Sequence, residues 1–133
     1  MLTVKTSVKT SGIQGFGLFA EERIPKGTVV WKFDPKWDFV FREEEVNIMP
    51  GFQKAFLMTY AYLSPLYKKY VLCGDDARFM NHSSINDNIS TKEFEGDENG
   101  IANRDIEIGE ELLINYKTFD MHDTESSEEY LNT

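Results

Sequence analysis

The stretch "DDARFMNHSS", residues 75–84, gathers Arg78, Asn81 and His82 into one short segment. Such a group either caps a turn or holds a ligand. A structural zinc draws about four N or S ligands, whereas the chain has two histidines and one cysteine, Cys73. No metal is expected. A site built on Asn81 and His82 must then work by hydrogen bonds and shape.

Working outward, the 133 residues imply one domain with one moderate core. A hydrophobic content of 41% with 14% aromatics is that of a packed globular chain rather than a disordered one. One cysteine excludes an internal disulfide framework and points to a reducing compartment. The opening "MLTVKTSVKT" has no apolar signal core, and no run approaches the roughly 20 apolar residues of a membrane span. The expectation is a cytoplasmic protein, or a nuclear one in a eukaryote, that is not secreted and contacts no membrane. The net charge is −9, and the largest basic group is Lys68–Lys69. Direct nucleic-acid binding is not expected, because it rests on Lys and Arg displacing phosphate counterions. The acidity either keeps the chain soluble or draws basic peptides.

Patterning predicts a strand over 2–10, then glycine punctuation at Gly12, Gly15 and Gly17. A short strand, a Pro25–Lys26–Gly27 turn and a strand over 28–33 follow. Residues 34–50 read as irregular, with one helical turn around Glu43–Val46. Phe52, Phe56, Tyr60 and Leu63 fall on one face of a helix over 52–63, which Ser64–Pro65 ends. A strand is expected over 67–73, a helical turn in "ARFMNH", and loop chemistry in "SSINDN". Two strands flank a turn at 96–100, and "DIEIGEELLINY", 105–116, turns at Gly109 and ends in a strand. Many short strands and frequent turns make a mostly β domain rather than a doubly wound sheet.

Each local signal has a plain reading beside a functional one. Gly15-Phe16-Gly17 marks either a hairpin turn or a place where a ligand lies against bare backbone. Its spacing and the early turn after it do not make a dinucleotide loop. Asp75–Asp76 reads as an acid–base pair or, more simply, as a cap in which Asp76 precedes "ARFM". Tyr116 ends a strand, a usual place for a rim aromatic. "GEEL", 109–112, reads as a solvated turn.

In order along the chain, three of these blocks resemble the SET-domain protein lysine methyltransferases. "GIQGFGLFAEERIPKGTVV", 12–30, is similar to the opening Gly-x-Gly segment of that family. "DDARFMNHSS" resembles its R-F-x-N-H-S motif, and "DIEIGEELLINY" its I-x-x-G-E-E-L-x-x-x-Y motif. The resemblance covers about 4–120 and implies a single domain over 1–133, with a polar acidic tail at 121–133. It implies a mostly β, SET-like (β-clip) fold: small sheets around a pseudoknot, with one short helical insert. It also implies methylation of a lysine side chain in a protein substrate with S-adenosylmethionine as cofactor. Gly15, Phe16 and Gly17 would meet the methionine part through backbone groups. Asn81 would hydrogen-bond that part by its side chain, and His82 would meet the adenine through its backbone. Arg78 would brace the site, and Tyr116 would be the catalytic tyrosine. Tyr60, Phe79, Ile114 and Phe119 are the expected substrate channel, with Tyr62 a further aromatic candidate. The expected partner is a basic, lysine-containing protein or peptide. A non-catalytic SET-like module that binds basic peptides is the alternative.

The chain departs from the family pattern in three places. "NHSSINDN" stands where N-H-S-C-x-P-N is usual, so Ser84 replaces Cys and one residue more precedes Asn88. No cysteine cluster follows Tyr116, so a zinc-binding cap is not expected, and Phe119, Met121 and the tail, or a partner, would close the channel. Ile114 stands two before the tyrosine, where Phe or Tyr often tunes how many methyl groups are added.

Overall fold

The computed structural model of the chain describes residues 1–115. Ten short strands and two short helices follow in order: β1 (Thr6–Thr10), β2 (Phe16–Ala20), β3 (Val29–Lys32), β4 (Asp38–Phe41), α1 (Glu43–Asn47), α2 (Gly51–Tyr60), β5 (Tyr62–Leu63), β6 (Tyr70–Cys73), β7 (Asn81–His82), β8 (Ile89–Phe94), β9 (Asp97–Ala102) and β10 (Leu113–Ile114). A 3-10 turn, Asp76–Phe79, precedes β7. The domain is mostly β, as the spacing of turns implies. Among the described residues no helix is long and apolar enough to cross a membrane.

Three small sheets share the work. β1 and β2 form an antiparallel hairpin in the register Thr6↔Ala20 to Thr10↔Phe16. The largest sheet runs β3-β9-β8-β10-β7, and the third runs β4-β6-β5. β8 and β9 are joined by Glu95–Gly96, both at positive φ (53° and 81°), the geometry that matches strand twist in a two-residue turn. The turn is thus tighter than the 96–100 expected from sequence, because Asp97–Gly100 pair in β9. The first residues also belong to the fold: Thr3 N donates to Val30 O at 2.9 Å, and Leu2 bridges to Trp31.

β10 decides the topology. It lies between β7 and β8, strands that are neighbours in sequence, and runs parallel to both (Leu113↔Asn81, Ile114↔His82, Ile114↔Ile89). The 83–88 connection spans the strand threaded between its ends. This is the crossing expected of the pseudoknot.

The main core takes Leu18 and Ala20 from β2, Val30 and Trp31 from β3, Val71 from β6, Ile89 from β8, and Ile106, Leu112 and Ile114 from the C-terminal motif. A second, smaller cluster of Val46, Leu57 and Tyr70 fixes the two helices on β6. Two local expectations change here. α2 ends at Tyr60, since Ala61 is extended (φ −89°, ψ 158°), and Leu63 belongs to β5. The expected helix face is also largely in solvent: Phe52 is 76% and Phe56 49% exposed, and Leu57 is the residue that packs. β4 was not expected at all; it forms because Phe39–Phe41 pair with Val71 and its neighbours.

Buried polar groups tie sheets together. Glu98 on β9, 3% exposed, accepts hydrogen bonds from Tyr62 Oη at 2.5 Å and from Ser64 Oγ. Burial, then the charge of Glu98, pushes the Tyr62 phenol well above its ordinary value of 10.0. Burial lifts Tyr67 to about 12, and burial, then Asp38, lifts the Cys73 thiol above 9.0. A group whose pKa is raised by folding contributes stability below its unfolded value and loses it as pH rises through the folded one. The midpoint of urea unfolding should therefore fall steadily from pH 9 to 11. A flat midpoint across that window would count against the burial of these three groups.

Gly74 makes a second prediction. A Cβ placed there would stand 1.7 Å from the carbonyl oxygen of Trp37. That obstacle is backbone and cannot swing away. Gly74→Ala should cost about 3 kcal/mol, read by denaturant unfolding, whereas Gly12→Ala, with nothing within 4 Å, should be mild.

Candidate functional site

The Gly-rich turn, β7 and the segment leading into β10 meet at one rim of the domain. Ser11 N donates to Gly15 O at 2.8 Å, and Gly15 has φ +48°, a left-handed conformation that glycine adopts without a Cβ penalty. Gly17 is bare for another reason. A Cβ there would lie 1.9 Å from Glu111 Oε1 and 3.1 Å from Ser11 Cβ. Phe16 between them points outward and is 59% exposed.

Asn81 joins the blocks. Its Nδ2 donates to Phe16 O at 3.0 Å, to Gln14 O at 3.2 Å and to Glu111 Oε1 at 3.0 Å. In this structure the amide holds the glycine turn against β7. His82, the next residue, is buried and pairs with Ile114 across the parallel ladder. Ile114 is itself 6% exposed and part of the main core.

The other expected residues form a neighbouring group. Tyr60 ends α2, and its ring meets Phe79 edge-on at 5.8 Å and Phe56 at 5.0 Å. The guanidinium of Arg78 lies 5.0 Å from the Phe79 ring centre and 5.8 Å from that of Tyr60, within range for a cation–π contact. Tyr62 is turned away to Glu98 and serves the core. Tyr116 and Phe119, with Met121 and the acidic tail, lie outside the described residues.

Asp75, not Asp76, caps the 3-10 turn. Its Oδ1 accepts from Ala77 N at 3.1 Å and its Oδ2 from Leu2 N at 2.7 Å. Both oxygens are occupied by backbone donors, so the two aspartates are not arranged as an acid–base pair. Among the described residues no group of three or more His, Cys, Asp or Glu is placed to hold a metal.

Three residues that the sequence reading left out are central here. Glu111, read there as part of a solvated turn, is half-buried, and its Oε2 accepts from Ser11 Oγ at 3.1 Å. Asn88, 1% exposed, donates from Nδ2 to Glu111 O at 2.9 Å and accepts from Leu113 N at 2.8 Å. Ser83 takes over the loop that lacks the usual proline: its Oγ accepts from Asn86 N at 2.9 Å and Ile85 N at 3.3 Å. The signal for Glu111 and Asn88 was present in the motif blocks, but their long-range partners were not visible.

Comparisons with known proteins agree with this geometry. The model of the SET domain family matches residues 15–117. No curated protein matches the sequence. Among solved structures, the chain resembles a humanized mutant of the Chaetomium thermophilum Polycomb Repressive Complex 2 bound to an inhibitor (TM-score 0.64, 22% identity, 91% of this chain and 16% of that one). It resembles the same complex in an autoinhibited conformation bound to S-adenosylmethionine (TM-score 0.64, 22% identity, 87% and 16%). A third is a Plasmodium falciparum putative histone methyltransferase (TM-score 0.59, 21% identity, 85% and 93%). The chain thus spans about a sixth of the polycomb chains and most of the Plasmodium one.

Asn88 gives the prediction for this site. Asn88→Ala removes a donor and an acceptor from two buried backbone groups, a loss of about 2–4 kcal/mol. Asn88→Asp keeps the acceptor for Leu113 N, loses the donor to Glu111 O and buries a charge. Both variants should lower the unfolding midpoint clearly; wild-type stability in either would mean that Asn88 does not lock the crossing.

Proposed function

The chain belongs to the SET-domain family, and on that premise we propose that it is a protein lysine methyltransferase that uses S-adenosylmethionine. One observation carries the reading furthest: the crossing of β10 between β7 and β8 brings the Gly15–Gly17 turn and Asn81 within hydrogen-bonding distance of each other. The residues suit the proposed cofactor. Asn81 Nδ2 donates to Gln14 O, Phe16 O and the Glu111 carboxylate beside the glycine turn, which fixes the turn that would present its backbone to the cofactor. S-adenosylmethionine supplies an electrophilic methyl group when bound. Gly15, Phe16 and Gly17 offer backbone groups to its methionine part, Asn81 offers its side-chain amide to the same part while holding their turn in place, and His82 offers backbone to the adenine.

The acceptor lysine must lose its proton to water before its neutral amine attacks, and a free lysine has a pKa near 10.4. Tyr60 and Phe79 offer an aromatic approach that desolvates the ammonium. The Arg78 guanidinium against those rings disfavours it further by like charge. Both effects lower the lysine pKa. Phe119 belongs to the same channel in this reading, and Ile114, 6% exposed, contributes through the core. Tyr116 orients the amine and the methyl group through its hydroxyl, so the contribution is one of alignment, about 7–11 kcal/mol in favourable cases. A net charge of −9 favours basic, lysine-containing protein segments as substrates through an on-rate that falls with salt.

Incubation with labelled S-adenosylmethionine and lysine-rich protein, with the labelled residue mapped, tests the reading. Label on lysine is expected; no transfer and no cofactor binding would leave a peptide-binding module. Tyr116→Phe should keep the fold and most cofactor affinity while turnover falls. Undiminished turnover would remove Tyr116 from the mechanism.

A further inference from the structure

We infer that Glu111 is a positioning residue for the cofactor site, acting through Asn81 and the Gly15–Gly17 turn. This rests on the function proposed above. The backbone of Glu111 is held from both sides. Leu112 N donates to Leu18 O at 2.7 Å, Ala20 N donates to Glu110 O at 2.9 Å, and Glu111 forms a bridge with Phe19. On the other side Asn88 Nδ2 donates to Glu111 O at 2.9 Å. From that fixed backbone the side chain points at the glycine turn.

Its two oxygens do separate jobs. Oε1 accepts from Asn81 Nδ2 at 3.0 Å, and Oε2 accepts from Ser11 Oγ at 3.1 Å. One carboxylate therefore ties the start of the turn, at Ser11, to β7, at Asn81. The third block of the motif sequence is thus joined to the first two by a single group. The carboxylate accepts from both partners at once. A glutamine would accept from Asn81 with its oxygen and turn its amide to the Ser11 hydroxyl, which can accept, so it keeps the tie but loses the charge. The bonds are also charge-assisted and correspondingly stronger.

The space at Gly17 agrees with the same placement of the carboxylate. A Cβ at that position would coincide with Glu111 Oε1 at 1.9 Å. The turn is bare at Gly17 because the carboxylate occupies the space a side chain would fill. Glycine here makes room for the protein's own acid, whereas at Gly15 it serves the left-handed backbone.

The consequence is a prediction about binding rather than chemistry. Glu111 is within reach of Asn81 and Ser11, so its loss frees the turn that presents backbone groups to the cofactor. Glu111→Ala should weaken S-adenosylmethionine binding about ten-fold or more in calorimetric titration. KM for the cofactor should rise while kcat at saturating cofactor is retained. Glu111→Gln, which keeps the ties without the charge assistance, should fall between wild type and Ala, and Ser11→Ala should show a smaller effect of the same kind.

Because Glu111 acts partly through Asn81, the double variant Glu111→Ala/Asn81→Ala should bind less weakly than the summed losses of the two single variants require, the remainder being the Ser11 tie. The second cycle pairs Gly17→Ala with Glu111→Ala and needs no cofactor. Gly17→Ala should lower the melting temperature less when Glu111 is already Ala, since the contact with Oε1 is gone and the 3.1 Å approach to Ser11 Cβ is what remains. Wild-type affinity in Glu111→Ala, or log-additive losses with Asn81→Ala, would overturn the positioning role. A melting loss with unchanged cofactor affinity would reduce Glu111 to a structural tie and overturn it equally. If Glu111→Ala does not fold, Glu111→Gln and Ser11→Ala carry the test. A wild-type protein that binds no S-adenosylmethionine overturns instead the function on which the inference rests, and the melting cycle still reports the Gly17–Glu111 coupling.

Discussion

A two-residue strand has almost no stability of its own, yet β10 is held in the middle of the largest sheet by strands that run parallel to it. The interaction that makes this possible is the buried Asn88 side chain. It gives one hydrogen bond to Glu111 O and takes one from Leu113 N, and its backbone N–H donates to Leu113 O at 2.9 Å. At the other end of the connection, Ser83 N donates to Ile114 O at 3.2 Å. The 83–88 connection is thereby pinned on both sides of the strand it encloses. With β10 in place, Ile114 enters the core, Leu112 closes against Leu18, and Glu111 reaches the glycine turn. Without it, the turn and β7 would keep the Asn81 bonds between them but lose the Glu111 carboxylate that ties to both.

This arrangement explains why so small a domain can build a polar rim with defined geometry. The rim residues lie on a hairpin turn and on strand ends, which are soft elements alone. Asn81 pairs with buried Leu113 and His82 with buried Ile114, and Glu111 bridges to the partly buried Phe19. Polar networks inside low dielectric are costly when half satisfied and rigid when complete. Glu98 shows the same logic away from the rim. Its two oxygens meet Tyr62 and Ser64, so β9 is fastened to β5 and the turn after it.

The helical insert follows a different rule. α2 lies on a narrow three-stranded sheet, which covers one stripe of the helix and no more. Leu57 packs there with Val46 and Tyr70, while Phe52 and Phe56 remain largely open beside Phe41 and Leu72. Phe56 then continues into Tyr60, Phe79 and Arg78, so an aromatic strip runs from the insert to the rim. The periodicity of the aromatics in α2 therefore serves this exposed strip more than it serves the core.

What the amino-acid order determined by itself was the set of parts. The turn glycines, the Pro-Lys-Gly turn, most of the strands and the three motif blocks were legible because each depends on residues close in sequence, through φ preference, alternation and motif spacing. From these, the SET-like fold and the grouping of Gly15, Gly17 and Asn81 followed by resemblance. What only the tertiary structure decided was the partner of each polar group. Asn88 meets Leu113 across 25 residues, Asn81 meets Phe16 across 65, and Ser11 meets Glu111 across 100. Local pattern carries no term for such distances. It also could not tell that β4 would form, since "DFVF" is a strand only when β6 lies beside it. Nor could it tell that Asp75 rather than Asp76 would cap the turn, because the choice depends on Leu2 N arriving from the start of the chain.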